Sequence, residues 1–127
     1  MKAVLDTSVL LGPDPGPIEA EVAISAISLA ELHFGVLVAR TAAARAERLR
    51  RLALIEKTFD ALPVDDAVAR AYGRLAAAVV AAGRQPRVRI ADLLIAATAL
   101  THEATLWTRN AGDLIGLESL VQIHHPG

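Results

Sequence analysis

"RIADLLIAATALTHEATLWT", residues 89–108, joins the two elements whose succession decides the fold. After Arg89 its apolar run carries a single charge, Asp92, and predicts a helix from Asp92 to about His102. "TLWT" (105–108) predicts a strand. A helix feeding a short apolar strand is the repeating unit of a parallel sheet, because parallel strands need crossovers and helices supply them. The stretch also raises a chemical question, since a carboxylate heads one of the most apolar segments of the chain.

The same alternation holds on the N-terminal side. "KAVLD" (2–6) predicts a strand ending at Asp6, "TSVLL" (7–11) a helical turn, and "GPDPGP" (12–17), with three prolines and two glycines, a loop. "EVAIS" (21–25) reads as a second strand. In "SLAELHFGVLVAR" (28–40), Leu29, Leu32, Val36 and Ala39 recur at helical spacing, and Ser28 with Glu31 matches a capping box, so a helix is expected from Ser28. From Thr41 to about Asp60, Leu49, Leu52, Ile55 and Phe59 form an apolar stripe, with Glu47 and Arg51 at the favourable i, i+4 spacing. "ALPV" (61–64) is a short strand. Asp65 or Asp66 then caps a helix with Val68, Tyr72, Leu75, Val79 and Ala82 on one face, ending at Gly83. "RQPRVR" (84–89) is a loop, "RNAGDLIGL" (109–117) another, and "LVQI" (120–123) a last strand. The expected architecture is α/β: a short parallel sheet of about five strands with helices on both faces, one domain over residues 1–127.

Composition narrows the chemistry. Hydrophobic residues make up 54% of the chain, too many for a disordered one, yet no apolar run approaches the roughly 18 residues of a membrane span. "MKAVLDTSVLLG" is broken by Asp6 and lacks the apolar core of a signal peptide, so a cytoplasmic location is expected. With no cysteine, a metal would be held by carboxylate, imidazole or backbone. The net charge of 13 − 14 = −1 leaves any nucleic-acid contact to local clusters. Two arginine groups are candidates: Arg40, Arg45, Arg48, Arg50 and Arg51, and Arg84, Arg87 and Arg89.

In an open parallel sheet, ligands bind at the C-terminal ends of the strands. That edge gathers Asp6 after the first strand, Glu31 in the first turn of the helix after the second, and Asp113 in the loop after "TLWT". Asp92 joins them if its helix points its N-terminus there. Singly, each acid has a structural explanation as a cap, a helix-dipole partner or a turn residue. Together they do not, because two carboxylates about 4 Å apart repel by roughly 4 kcal/mol at an effective dielectric of 20. A cation among them or protonation relieves this. Oxygen-only ligands favour Mg²⁺ or Mn²⁺, and the matching chemistry is metal-assisted phosphodiester hydrolysis. Thr7, Ser8, Thr108 and Asn110 flank the acids as candidate donors to carboxylate, metal-bound water or phosphate.

"VLDTSVL" with Asp6, "ISLAELHFG" with Glu31, "IADLLIAATAL" with Asp92 and "TRNAGDL" with Asp113 resemble the four motifs of the PIN-domain ribonucleases, in order and over nearly the whole chain. More narrowly the chain resembles the VapC toxins of bacterial toxin–antitoxin pairs. The resemblance implies an Mg²⁺- or Mn²⁺-dependent endoribonuclease with Asp6, Glu31, Asp92 and Asp113 as catalytic metal ligands, the fourth being the one whose role varies in the family. It also implies a homodimer and a VapB-like antitoxin whose tail blocks the acidic cleft. Arg84, Arg87 and Arg89, just before Asp92, then become candidates for RNA phosphate, and the helices between 28 and 60 for protein contacts. Two positions depart from the pattern: Leu114 stands where an aromatic is common, and Trp107 where a small aliphatic is.

Three other readings differ in class. Two-histidine acid–base RNA cleavage would draw on His33, His102, His124 or His125. A phosphatase using an aspartate nucleophile would want a second acid at position 8, where Ser8 stands. A PIN-like module that binds RNA or a partner without turnover shares the whole motif set.

Overall fold

The computed structural model describes all 127 residues. Five parallel strands form one sheet in the order β3-β2-β1-β4-β5, with β1 spanning Lys2–Leu5, β2 Glu21–Ser25, β3 Asp60–Leu62, β4 Thr105–Trp107 and β5 Ile123–His124. Between them lie α1 (Thr7–Leu11), α2 (Ala26–Leu37), α3 (Ala42–Thr58), α4 (Asp66–Ala81) and α5 (Ile90–Thr101). Short 3-10 turns occupy Pro86–Arg89 and Ala111–Leu114.

The pleat of β1 divides the core. Val4 points into a cluster with Val68, Leu75 and Val79 of α4, Leu93 and Ile95 of α5, and Leu106 of β4. Leu5, one residue on, points to the other face, where it meets Ile24, Leu32, Val36, Leu52 and Ile55. Period-two alternation therefore gives each face of the sheet its own helical layer, α4 and α5 on one side and α2 and α3 on the other. Burying each such Leu or Ile stabilises the fold by roughly 1.5–3 kcal/mol.

Several local expectations are corrected. The helix after β2 begins at Ala26, not Ser28, because Ser25 ends the strand and caps the helix at once, its hydroxyl accepting from Ile27 N at 3.1 Å. Ser28 is thus a buried residue inside α2, and Glu31 lies in the second turn rather than completing a capping box. In α3, Glu47 pairs with Arg50 at 2.6 Å instead of with Arg51, whose guanidinium donates to Leu11 O at 2.8 Å. Leu49 is exposed while Leu52 and Ile55 carry the buried stripe. The last strand is only Ile123–His124, since Leu120 N and Val121 N are both turned back onto Leu117 O.

The two ends of α4 are closed by different devices. Asp65 caps its start, accepting from Val68 N at 3.0 Å. At its end Gly83 sits at φ +79°, Gly83 N donates to Val80 O at 2.9 Å and Arg84 N to Val79 O at 3.0 Å. This is a Schellman turn, which needs the left-handed conformation glycine adopts freely. It redirects the chain into the arginine-bearing segment 84–89.

Candidate active site

Because β1, β2 and β4 run parallel, their C-terminal ends share one edge of the sheet. Asp6 follows β1 directly and caps α1, its Oδ1 accepting from Val9 N at 3.2 Å and from the Ser8 hydroxyl at 2.6 Å. Both bonds fall on one oxygen, so Oδ2 keeps its acceptor capacity. Ser8 is itself held in place, its hydroxyl accepting from Arg109 N at 2.9 Å. The chain thus connects the end of β4 to the carboxylate at the end of β1 through a single side chain.

Glu31 reaches the edge from α2 and is exposed. Its Oε1 accepts from the Thr7 hydroxyl at 2.6 Å, and Thr7 Oγ1 lies 3.1 Å from Ser28 Oγ. Asp113 comes from the 3-10 turn after β4 and pairs with Arg89 at 3.1 Å. Asp92 occupies the third position of α5, with no side-chain cap on that helix. A crevice is lined jointly by Asp6, Asp92 and Asp113, with Thr108 and Asn110 in its wall.

Asp92 records the company it keeps. Its carboxyl is raised above the ordinary value first by burial, then by the negative charges of Glu31, Asp113 and Asp6, with Arg89 acting in the opposite sense. All four acids therefore lie within electrostatic reach of one another, and ionising the most buried of them is opposed by the rest. They face one another without closing: no three His, Asp or Glu side chains stand at direct ligating distance of a common point. An all-oxygen donor set with this excess of negative charge suits a hard divalent ion that keeps part of its water shell.

The polar residues singled out in the sequence divide by what they touch. Thr7 and Ser8 are committed to Glu31 and Asp6, so they orient carboxylates rather than present themselves to phosphate. Thr108 is buried and its hydroxyl accepts from Asn110 N at 3.0 Å, a turn contact within the crevice wall. Two residues not expected at the site enter it: Ser28, expected only as a helix cap, beside Thr7, and Arg109, whose amide holds Ser8 and whose guanidinium donates to Pro13 O at 2.8 Å. Arg109 lies two residues past the end of β4, at the same sheet edge as Asp6, a positional signal that its basic side chain masked. A Cβ on Gly12 would stand 2.7 Å from Arg109 Nε, so the glycine of "GPDPGP" makes room for that arm.

The two arginine groups also divide. Arg45 donates to Leu37 O, Arg48 to Gly35 O and Arg51 to Leu11 O, tying α3 to the ends of α2 and α1. Arg84 and Arg89 instead border a cavity of about 360 Å³ that shares Asp113 with the acidic crevice. Arg87 is exposed and stands outside that lining. The histidines are scattered: His33 bonds Glu56 at 2.8 Å, His102 caps the C-terminus of α5, the His124 ring packs against Trp107 at 4.2 Å with the planes tilted by 43°, and His125 is exposed beyond β5. That arrangement offers no acid–base pair.

The PIN-domain family model matches residues 3–112. Ribonuclease VapC5 of Mycobacterium tuberculosis is 41% identical over 126 residues, which cover 94% of this chain and 90% of the relative. A solved member of the VapBC family of toxin–antitoxin systems, VapBC-5 from the same organism, superposes with a TM-score of 0.84 at 38% identity, covering 98% of this chain and 96% of that one. FitAcB from Neisseria gonorrhoeae gives 0.78 at 30% identity, covering 98% and 97%.

Proposed function

Because the chain belongs to the PIN-domain family, within its VapC ribonucleases, we propose that it is a divalent-cation-dependent endoribonuclease whose site is Asp6, Glu31, Asp92 and Asp113. The observation that carries this is the single crevice lined by Asp6, Asp92 and Asp113, in which burial and the charges of Glu31, Asp113 and Asp6 oppose ionisation of Asp92. A bound Mg²⁺ or Mn²⁺ would supply charge neutralisation and polarisation of the scissile phosphate. The chain's own residues do the rest. Ser8 and Thr7 fix the Asp6 and Glu31 carboxylates, and α5, anchored by the buried Leu93 and Ile95, holds Asp92 rigidly. Arg89 stands beside Asp113 with a guanidinium suited to a phosphate oxygen. In the hydrolysis, a water oxygen bonds to phosphorus and gives up one proton, one P–O ester bond breaks, and the departing alkoxide takes up one proton, so the sum adds one water across the bond.

The relatives solved as VapBC complexes support a role as the toxin of a toxin–antitoxin pair, neutralised by a VapB-like antitoxin. Phe34, Leu37 and Val38 on or beside α2, and Leu49 and Leu54 on α3, are exposed apolar side chains available for protein contacts, whether with that antitoxin or in a homodimer. No helix is long and apolar enough to cross a membrane, and a cytoplasmic site of action fits an RNA substrate.

The test is cleavage of total RNA with Mn²⁺ by the wild type and by Asp92→Asn. Wild-type cleavage that EDTA stops and Asp92→Asn lowers by two orders of magnitude or more is expected. Equal rates would remove Asp92 from the site. A wild type that binds RNA but cuts none would favour the non-catalytic module, a reading for which the held positions of Glu31 and Asp113 speak.

A further inference from the structure

The cavity beside the acids has a composition that hydrolysis alone does not explain. Its walls include Val79, Val88, Leu93 and Ile115, with Arg84 and Gln85 at its polar side. Val88 and Ile115 are 66% and 50% exposed, so two large apolar side chains stand at an opening instead of in the core. At about 360 Å³ the space lies in the range of small-ligand pockets, which are mostly apolar with a few placed polar groups. It meets the acidic crevice at Asp113, the one residue lining both, and on the cavity side Arg89 pairs with that carboxylate at 3.1 Å.

We propose that this cavity is a nucleobase subsite: it takes the base of a nucleotide flanking the scissile phosphate, with Arg89 at the phosphate and Gln85 at the base edge. The proposal rests on the ribonuclease reading and adds where the substrate lies. An RNA base offers a flat apolar face for Val88 and Ile115 and a polar edge for an amide, whose carbonyl accepts and whose amino group donates. The attached phosphate carries the negative charge that Arg84 and Arg89 match, and Arg89 exchanges one anionic partner for another when it turns from Asp113 to phosphate. A base seated in this cavity places its phosphate at Asp113, where the cavity passes into the crevice that Asp6 and Asp92 line. A Gln85 in that position would make cleavage selective for the identity of one base.

The experiment uses RNA oligonucleotides spanning a mapped cleavage site, with each of the four nucleotides around it replaced in turn by an abasic ribose. For the wild type, one replacement should lower kcat/KM at least tenfold and the others less than threefold. Val88→Trp and Ile115→Trp, which fill the cavity from exposed positions, should cleave the intact RNA at that abasic level and lose the discrimination. Gln85→Ala should keep the requirement for a base and relax which base is preferred. Uniform response to all four abasic positions, or full discrimination in both tryptophan variants, would overturn the subsite.

Binding of fluorescein-labelled RNA, read by anisotropy, separates this from the ribonuclease reading. If no RNA is cut but Val88→Trp and Ile115→Trp weaken binding fivefold or more, with unchanged melting temperatures, the subsite stands and the hydrolytic reading falls. If RNA binding is unchanged while capture of a co-expressed partner protein is lost, the cavity holds a protein side chain and the subsite is overturned.

Discussion

At the scale of single residues, Asp92 concentrates the energetic conflict of the candidate site. Its carboxyl is held above the ordinary aspartate value of 3.8 by burial and by Glu31, Asp113 and Asp6. A raised acid binds its proton more tightly folded than unfolded, so ionisation costs stability. The penalty is absent below the unfolded value, sets in as pH rises above about 3.8, and is complete once pH exceeds the folded value. Without divalent cations, Asp92→Asn should therefore melt above the wild type at pH 7 and lose that advantage near pH 3.5. With Mn²⁺ the order should reverse, because the ion stabilises the native wild type. Melting curves across pH, with and without Mn²⁺, measure both effects; a wild type that always melts higher would mean the carboxylates do not oppose one another. The candidacy of Asp92 was legible because a lone charge in an apolar run is conspicuous. The roles of Ser8 and Thr7 were not, since a hydroxyl beside an acid has the same sequence whether it points to a ligand or to the acid.

At the scale of elements, alternation predicted all five strands and the five helical segments between them. The errors lie at element boundaries: α5 begins at Ile90 rather than Asp92, directly behind the 3-10 turn at Pro86–Arg89, the strand expected over 61–64 is Asp60–Leu62, and the helix start after β2 was misplaced where strand passes into helix without a loop. Ser28 and Glu31 have capping-box spacing, but Ser25 was equally able to cap and ended the strand as well. The last strand was displaced because Leu117 and Val121 are buried through a turn, where burial has no periodicity. Glycine gives a paired test of how well the helices are understood. Gly83 requires φ +79°, so Gly83→Ala should destabilise by about 1–2 kcal/mol. Gly35 lies inside α2 with open space around a built Cβ, so Gly35→Ala should stabilise by roughly 0.5–1 kcal/mol. Urea denaturation of both variants reads the two signs; a shared sign would contradict the local geometry of one of them.

At the scale of the whole molecule, a net charge of −1 conceals a division of labour among the cations. Arg45, Arg48 and Arg51 bond backbone carbonyls and hold the α2–α3 layer together, whereas Arg84 and Arg87 form no such bonds and lie just before Asp92 in the chain. Composition could not separate these groups, because helix-bound and ligand-facing arginines look alike until the carbonyls they reach are known. RNA binding titrated against salt should tell them apart. Arg84→Ala and Arg87→Ala should each lower the slope of log K against log salt by up to about 0.7–0.9. Arg48→Ala should leave the slope unchanged and lower the melting temperature. An altered slope in Arg48→Ala would move the nucleic-acid face to α3.

The order of the strands has a consequence for timing. β1, at the centre of the sheet, is made early, but its neighbour β4 comes from residues 105–107, so the edge holding Asp6 is completed only after most of the chain exists. At about 5–20 residues per second, synthesis from Asp6 to Asp113 takes on the order of five to twenty seconds. During that interval the nascent chain carries the first acid without the last. A chain interrupted before β4 therefore lacks Asp113, and one interrupted before α5 lacks Asp92 as well, so on the proposed reading neither fragment carries a complete set of acids.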